Sequence, residues 1–213
     1  MARLWVWQEE QAGAFFDQAR GVLLAGGVMA VPTETYYALA VNPFDEAALT
    51  RLFALKERPP EKPVLVLIAG PEMLSRLAGE PPAAASHLMA AFWPGPLTLI
   101  LPARPDLSAR LTGGAGTIGV RQPRQPLVCR MMAALGLPVT GTSANRSGRR
   151  PLTAAAEVAR EFGAQLDLIL EAGSCPGGLP STIVVVTASP PRLVRAGAIP
   201  AARLREVIPD MRS

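Results

Sequence analysis

Lys56, Arg58 and Lys62 stand in one proline-bounded stretch, Lys56-Glu57-Arg58-Pro59-Pro60-Glu61-Lys62-Pro63, and they include the only two lysines of a chain whose Lys+Arg total is 21. A lysine ammonium is a point charge with rotating donors that can follow a bending phosphate chain, whereas the arginine fork suits a fixed bidentate partner. Their concentration makes the stretch a candidate polyphosphate clamp, although the same composition suits an ordinary solvated loop. Further polar loops carry Thr33-Glu34-Thr35-Tyr36, Arg121, Thr140-Gly141-Thr142-Ser143-Ala144-Asn145, Ser181 and Arg195. The Ser143-Ala144-Asn145 turn offers hydroxyl and amide donors next to small residues that allow close backbone approach. Taken singly, each of these loops is also ordinary turn chemistry.

Several reaction classes are excluded early. The one histidine, His87, lies in an alanine-rich helical segment and reads as structural or surface, which removes multi-histidine zinc sites and leaves no Ser-His-Asp constellation. Cys129 and Cys175 form neither a disulfide framework nor a metal knuckle. Gly114-Ala115-Gly116-Thr117-Ile118-Gly119 spells a dinucleotide fingerprint but runs into extended Val120-Arg121-Gln122-Pro123, where a helix would have to open. Neither lysine follows a glycine, so a P-loop is absent as well. The net charge of +4 favours anionic partners, while 5% aromatic content gives no interleaved stacking surface for exposed bases. No apolar run approaches the roughly 18 residues needed to span a bilayer. The amino terminus lacks a signal-peptide pattern, so the expected location is cytoplasmic with no membrane partner.

The elements that must position these residues follow from hydrophobic period and turn signals. Helices are predicted at 9–25, from a cap at Asp45 through 55, and at 86–92, 126–135, 153–162 and 201–207. Strands are predicted at 28–31, 64–68, 97–101, 117–120, 138–140, 168–170, 183–186 and 192–195, the last two pairing antiparallel across their turn. With 49% hydrophobic residues over 213 positions, this alternation predicts a single layered α/β domain built on one mixed parallel and antiparallel sheet. In that arrangement the clamp joins a helix to a strand.

The order P-T-E-T-x-Y, K-x-R-P-P-x-K-P, W-P-G-P-L-T, G-x-x-G-V-R-x-P, T-S-A-N-x-S-G, P-S-T-I-V and R-x-G closely resembles the YrdC-like threonylcarbamoyl-AMP synthase family from about residue 28 to 199. The resemblance implies a twisted mixed sheet with helices on both faces around a concave cleft, in the family's short, single-domain form. It implies an enzyme that joins L-threonine, bicarbonate and ATP into threonylcarbamoyl-adenylate, with Mg²⁺ accompanying the nucleotide and no metal ligated by the protein. It further implies Lys56, Arg58 and Lys62 on the phosphates, with Thr117 and Arg195 on the nucleotide and Ser143 and Asn145 completing the phosphate site. Lys56, Arg58, Ser143 and Asn145 would be catalytic. Thr35, Arg121, Gly141 and Ser181 would hold threonine, Arg121 taking its carboxylate. One position departs from the pattern: many relatives carry a histidine beside the threonine pocket where this chain has Leu67. Downstream, the resemblance implies a threonylcarbamoyl transferase machinery acting on tRNA. Two alternatives stay open: a double-stranded RNA-binding or ribosome-maturation protein using the arginines of 146–150, and a hydrogenase-maturation type of carbamoyl-adenylate domain.

Overall fold

In the computed structural model, which describes residues 2–212, the chain opens with β1 (Arg3–Val6), α1 (Ala12–Leu24), β2 (Met29–Val31) and β3 (Ala38–Ala40). Helix α2 (Glu46–Lys56) follows, then β4 (Val66–Leu67), α3 (Ala83–Phe92), β5 (Leu97–Pro102), α4 (Ala109–Thr112) and β6 (Thr117–Arg121). The second half runs α5 (Pro126–Leu135), β7 (Val139–Thr140), β8 (Thr142–Ser143), α6 (Ala155–Phe162), β9 (Leu168–Glu171), β10 (Thr182–Val185), β11 (Arg192–Arg195) and α7 (Ala201–Val207). Helix α1 forms on its apolar spacing, burying Phe15, Ala19 and Leu23 on one face. Helix α2 starts where the Asp45 carboxylate accepts from the Ala47 and Ala48 amides at 2.9 and 3.0 Å. It stops where Glu57 takes the left-handed conformation at φ 52°, the one non-glycine residue with positive φ among those described. That stop throws the clamp loop off the helix end, with the Arg58 amide returning to the Phe53 carbonyl at 3.0 Å.

The α/β class with mixed strand directions is as expected, and β10 and β11 pair antiparallel with Ile183 opposite Arg195. The expectation of one sheet is corrected: hydrogen bonding divides the strands into a five-stranded sheet, β1-β9-β2-β3-β8, and a six-stranded sheet, β11-β10-β5-β6-β4-β7. The division falls at a corner the chain turns between β7 and β8. Thr140 N–H reaches the Val41 carbonyl at 3.0 Å. Its hydroxyl donates to the Leu39 carbonyl at 3.1 Å and accepts from the Val41 amide at 3.0 Å. A side-chain hydroxyl thus takes backbone groups of β3 and of the residue after it, and the two sheets are linked through Thr140 while their ladders stay separate. Gly141, the next residue, makes the corner possible, because a Cβ there would lie 2.4 Å from Leu67 Cγ. Leu67 itself is fully buried.

Three strands escape the sequence reading: β1, β3 and β8. Strand β3 is Ala-Leu-Ala with no β-branched residue and β8 has two residues. The predicted strand at 64–68 shrinks to Val66–Leu67.

Replacing Gly141 by alanine is expected to destabilise the fold by about 1–3 kcal/mol through overpacking against Leu67. Combining Gly141→Ala with Leu67→Ala should cost less than the two single changes added together, because the leucine that clashes is gone. Urea denaturation of the three variants measures both quantities.

Candidate functional site

A cavity of about 460 Å³ opens where the two sheets meet, with walls from Ala38, Thr142 and Ser143 on one sheet and Gly119, Arg121 and Ile183 on the other. The loop after β2 supplies Thr35 to the lining. Its shape comes from Thr33, whose hydroxyl accepts from the Thr35 and Tyr36 amides, both at 3.2 Å, and donates to the Tyr36 carbonyl at 2.7 Å. Such a side-chain-closed turn holds backbone that would otherwise fray. Tyr36, also in the lining, donates its phenol to the Gly178 carbonyl at 2.5 Å. This ties the first loop to the glycine-rich segment before β10.

On the six-stranded sheet, Ser181 is buried and its hydroxyl lies 2.9 Å from Thr98 Oγ1. Arg195 crosses from β11 to donate to the Ser181 carbonyl at 2.8 and 3.1 Å and to the Ser181 hydroxyl at 3.1 Å. Arg58 curls back on the clamp loop, its Nε donating to the Lys62 carbonyl at 3.2 Å and its Nη2 to the Pro63 carbonyl at 2.6 Å. Burial lowers both guanidinium values from their usual range, since a charge leaving water favours the neutral form.

Arg121, at the end of β6, is only 4% exposed. Burial pushes its guanidinium value down, the charge of Glu34 opposes this, and the charge of Arg195 adds to it. Glu34 Oε2 lies 3.7 Å from Arg121 Nη2, too long for a hydrogen bond. Both Glu34 oxygens and Arg121 Nε are buried without a hydrogen-bond partner among the described residues.

Of the residues singled out from sequence, Arg58, Ser143, Arg195, Thr35, Arg121, Gly141 and Ser181 line this one cavity. Lys56, Lys62, Thr117 and Asn145 do not. Lys62 is exposed in its loop, and Thr117 begins β6 at the far end of that strand from Arg121. Lys56 is 2% exposed, and its Nζ donates to the carbonyls of Ser143 and Asn145 at 2.5 and 2.6 Å. The Ser147 amide returns a bond to the Lys56 carbonyl at 2.9 Å. Asn145 sits behind Ser143, accepting from its hydroxyl at 2.6 Å and donating to the Arg146 and Arg149 carbonyls at 2.8 and 2.7 Å. Lys56 and Asn145 therefore brace the turn that presents Ser143. Burial, followed by the nearby charge of Arg58, lowers the Lys56 value to about 7.

Leu67 stays outside the lining and packs against Gly141. His87 lies exposed on α3, as the sequence suggested. The thiols of Cys129 and Cys175 are pushed up to about 11, first by burial, which keeps them protonated and unreactive. Arg146 pairs with Glu57 and Glu161, and Arg150 with Glu157. Much of the charge of that arginine cluster is thus met by its own surface. No helix among the described residues is long and apolar enough to cross a membrane. Sequence reasoning picked out the Thr33-Glu34-Thr35 loop but gave a role there only to Thr35, and it missed Thr98. Thr98 could have been found as the hydroxyl inside an otherwise apolar strand.

Comparison with known proteins places this cavity in context. The model of the Sua5/YciO/YrdC family, described as telomere recombination, matches residues 21–197. The threonylcarbamoyl-AMP synthase of Pyrococcus abyssi (strain GE5 / Orsay) is 38% identical over 194 residues, covering 91% of this chain and 57% of that protein. That of Bacillus subtilis (strain 168) is 38% identical over 192 residues, covering 90% of this chain and 56% of the relative. A crystal structure of P. abyssi Sua5 complexed with L-threonine superposes with a TM-score of 0.92 at 35% identity, covering 100% of this chain and 62% of that one. The chain therefore spans less than two thirds of the length of these relatives.

The folded chain holds Lys56 near 7 against an ordinary lysine value of 10.5, so between those values the unfolded state binds the extra proton. Stability contributed at this site must then rise with pH across that window, by up to about 1.4 kcal/mol per pH unit. Lys56→Met should remove this slope, so the difference in unfolding free energy between wild type and variant should grow from pH 7 to 9 in urea titrations.

Proposed function

The chain belongs to the Sua5/YciO/YrdC family, and from that membership we propose that it joins L-threonine, bicarbonate and ATP into threonylcarbamoyl-adenylate with release of pyrophosphate. The observation that carries this reading is the convergence of Arg58, Arg121 and Arg195 with Thr35, Ser143 and Ser181 on one cavity. The threonylcarbamoyl-AMP synthase names of the relatives and the L-threonine bound to P. abyssi Sua5 support it.

The threonine amine adds to bicarbonate with loss of water, or to carbon dioxide with loss of a proton, to give a carbamate, and a carbamate oxygen displaces pyrophosphate from the α-phosphorus of ATP. Such a displacement demands alignment of the reactants and neutralisation of phosphate charge more than proton transfer by a side chain. A histidine-free cavity rich in guanidinium suits that demand. Arg121, with unused hydrogen-bonding capacity at a buried guanidinium, takes the threonine carboxylate as a fork. Arg58 and Arg195 meet the phosphates, and Ser143 offers its hydroxyl from the opposite wall by exchanging its bond to Asn145 for one to a phosphate oxygen. Lys56 acts from behind that wall by holding the Ser143 turn. Among the described residues no group of His, Cys, Asp and Glu could hold a metal, and the described lining contains no carboxylate. Mg²⁺ would travel on the nucleotide, held by phosphate oxygens and water, and would add positive charge there. The product adenylate would pass to a transferase acting on tRNA in the cytoplasm.

Incubating the chain with ATP, bicarbonate and each of the twenty amino acids in turn should give pyrophosphate release that requires both bicarbonate and threonine. Release independent of either substrate would overturn the reading. Arg58→Ala should lower the rate roughly ten- to a hundred-fold, the worth of one charge-assisted hydrogen bond. Arg121→Ala should raise KM for threonine more than KM for ATP, and equal effects on both would remove Arg121 from the amino-acid subsite.

A further inference from the structure

The guanidiniums of the cavity differ in what neutralises them. Arg58 donates to the carbonyls of Lys62 and Pro63, and Arg195 donates to the carbonyl and hydroxyl of Ser181. These acceptors are uncharged, so each arginine keeps its whole positive charge. Arg121 faces a carboxylate instead, Glu34 Oε2 at 3.7 Å, with the two side chains 5% and 14% exposed. No donor among the described residues satisfies either Glu34 oxygen. A buried carboxylate without hydrogen bonds adds little stability, because its desolvation offsets its attraction to one long-range cation. The thiols of Cys129 and Cys175, whose values the Glu34 charge helps to raise, sit near 11 and are uncharged. The charge of Glu34 therefore acts on Arg121 and on whatever Arg121 binds.

We infer that Glu34 is a positioning residue that sorts anions within the cavity: by offsetting the charge of Arg121 it leaves a subsite for a monoanionic carboxylate and turns polyanionic phosphate toward Arg58 and Arg195. The physical basis is that repulsion between Glu34 and a ligand scales with the ligand's charge. The attraction that a carboxylate needs survives in two parallel N–H donations from the guanidinium fork. A phosphate or pyrophosphate carries more negative charge and meets proportionally more repulsion at Arg121, where the charge of Glu34 acts, while burial is the one influence on Arg58 and Arg195 and no carboxylate charge acts there. Naming the carboxylate as that of threonine rests on the proposed function, whereas the sorting follows from the charges alone.

The test is calorimetric titration of the intact chain with inorganic pyrophosphate and no other ligand. Wild type should bind one pyrophosphate per chain. Glu34→Gln should bind a second, at least about ten-fold tighter than any residual second binding in wild type, and adding Arg121→Ala to Glu34→Gln should abolish it. Glu34→Asp, which keeps the charge, should bind one. Equal stoichiometry and affinity in wild type and Glu34→Gln overturns the inference, as does a wild type whose second pyrophosphate binds within about ten-fold of the second in Glu34→Gln. In turnover, pyrophosphate should inhibit wild type competitively against ATP and not against threonine, and Glu34→Gln competitively against both. Competition against threonine in wild type overturns the inference even if Glu34→Gln does not fold. A chain with no threonine-dependent turnover would fail the proposed reaction and leave the titration result to stand by itself.

Discussion

An ammonium group buried against two carbonyls ties the segment that carries Arg58 to the turn that carries Ser143. Lys56 is the last residue of α2, and its Nζ spans to Ser143 and Asn145, 87 and 89 positions further along the chain. An ammonium taken out of water needs close acceptors, and when they are neutral dipoles instead of carboxylates the charged form stays expensive. The result is a lysine whose proton is loosely held and a turn whose geometry depends on that lysine. Because α2 ends there, the left-handed Glu57 directs the next residues toward the cavity and brings in Arg58. Because the same ammonium grips the Ser143 carbonyl, the turn that carries Ser143 is held at the cavity lining. One polar contact sets the position of both.

The corner at Thr140-Gly141 does comparable work for the sheets. The Thr140 hydroxyl links one sheet to backbone groups of the other, and the missing Cβ of Gly141 lets Leu67 pack directly beneath it. Leucine at that position contributes volume to the core and offers the cavity no polar group. The cavity consequently forms at a seam between sheets, where strand ends from both can contribute polar side chains without breaking either ladder. Its positive charge is unevenly opposed. Carbonyls and a hydroxyl hold Arg58 and Arg195, a carboxylate faces Arg121, and the contrast gives one open space two electrostatic characters.

Much of this architecture was legible in the residues. Apolar spacing located the helices well, as at Phe15, Ala19 and Leu23 of α1, and the Asp45 cap marked the start of α2. The motif loops that converge on the cavity stood out by composition, and seven of their residues, Arg58, Ser143, Arg195, Thr35, Arg121, Gly141 and Ser181, reach its lining. Short strands were harder. Ala-Leu-Ala has no period long enough to separate a strand from a buried loop, and the reading of one sheet could not anticipate that a threonine hydroxyl would link two separate ladders.

Local sequence determined the types of element, their order, and a supply of arginines and hydroxyls with no histidine chemistry among them, because those properties depend on periodicity, capping and composition within a few residues. Tertiary structure alone decided that Lys56 points into protein and not into the cavity, that Lys62 remains in solvent, and that Glu34 stands behind Arg121. Each of those outcomes is fixed by acceptors or charges contributed from distant segments, and the direction and electrostatic worth of a long charged side chain depend on such partners far more than on its immediate neighbours.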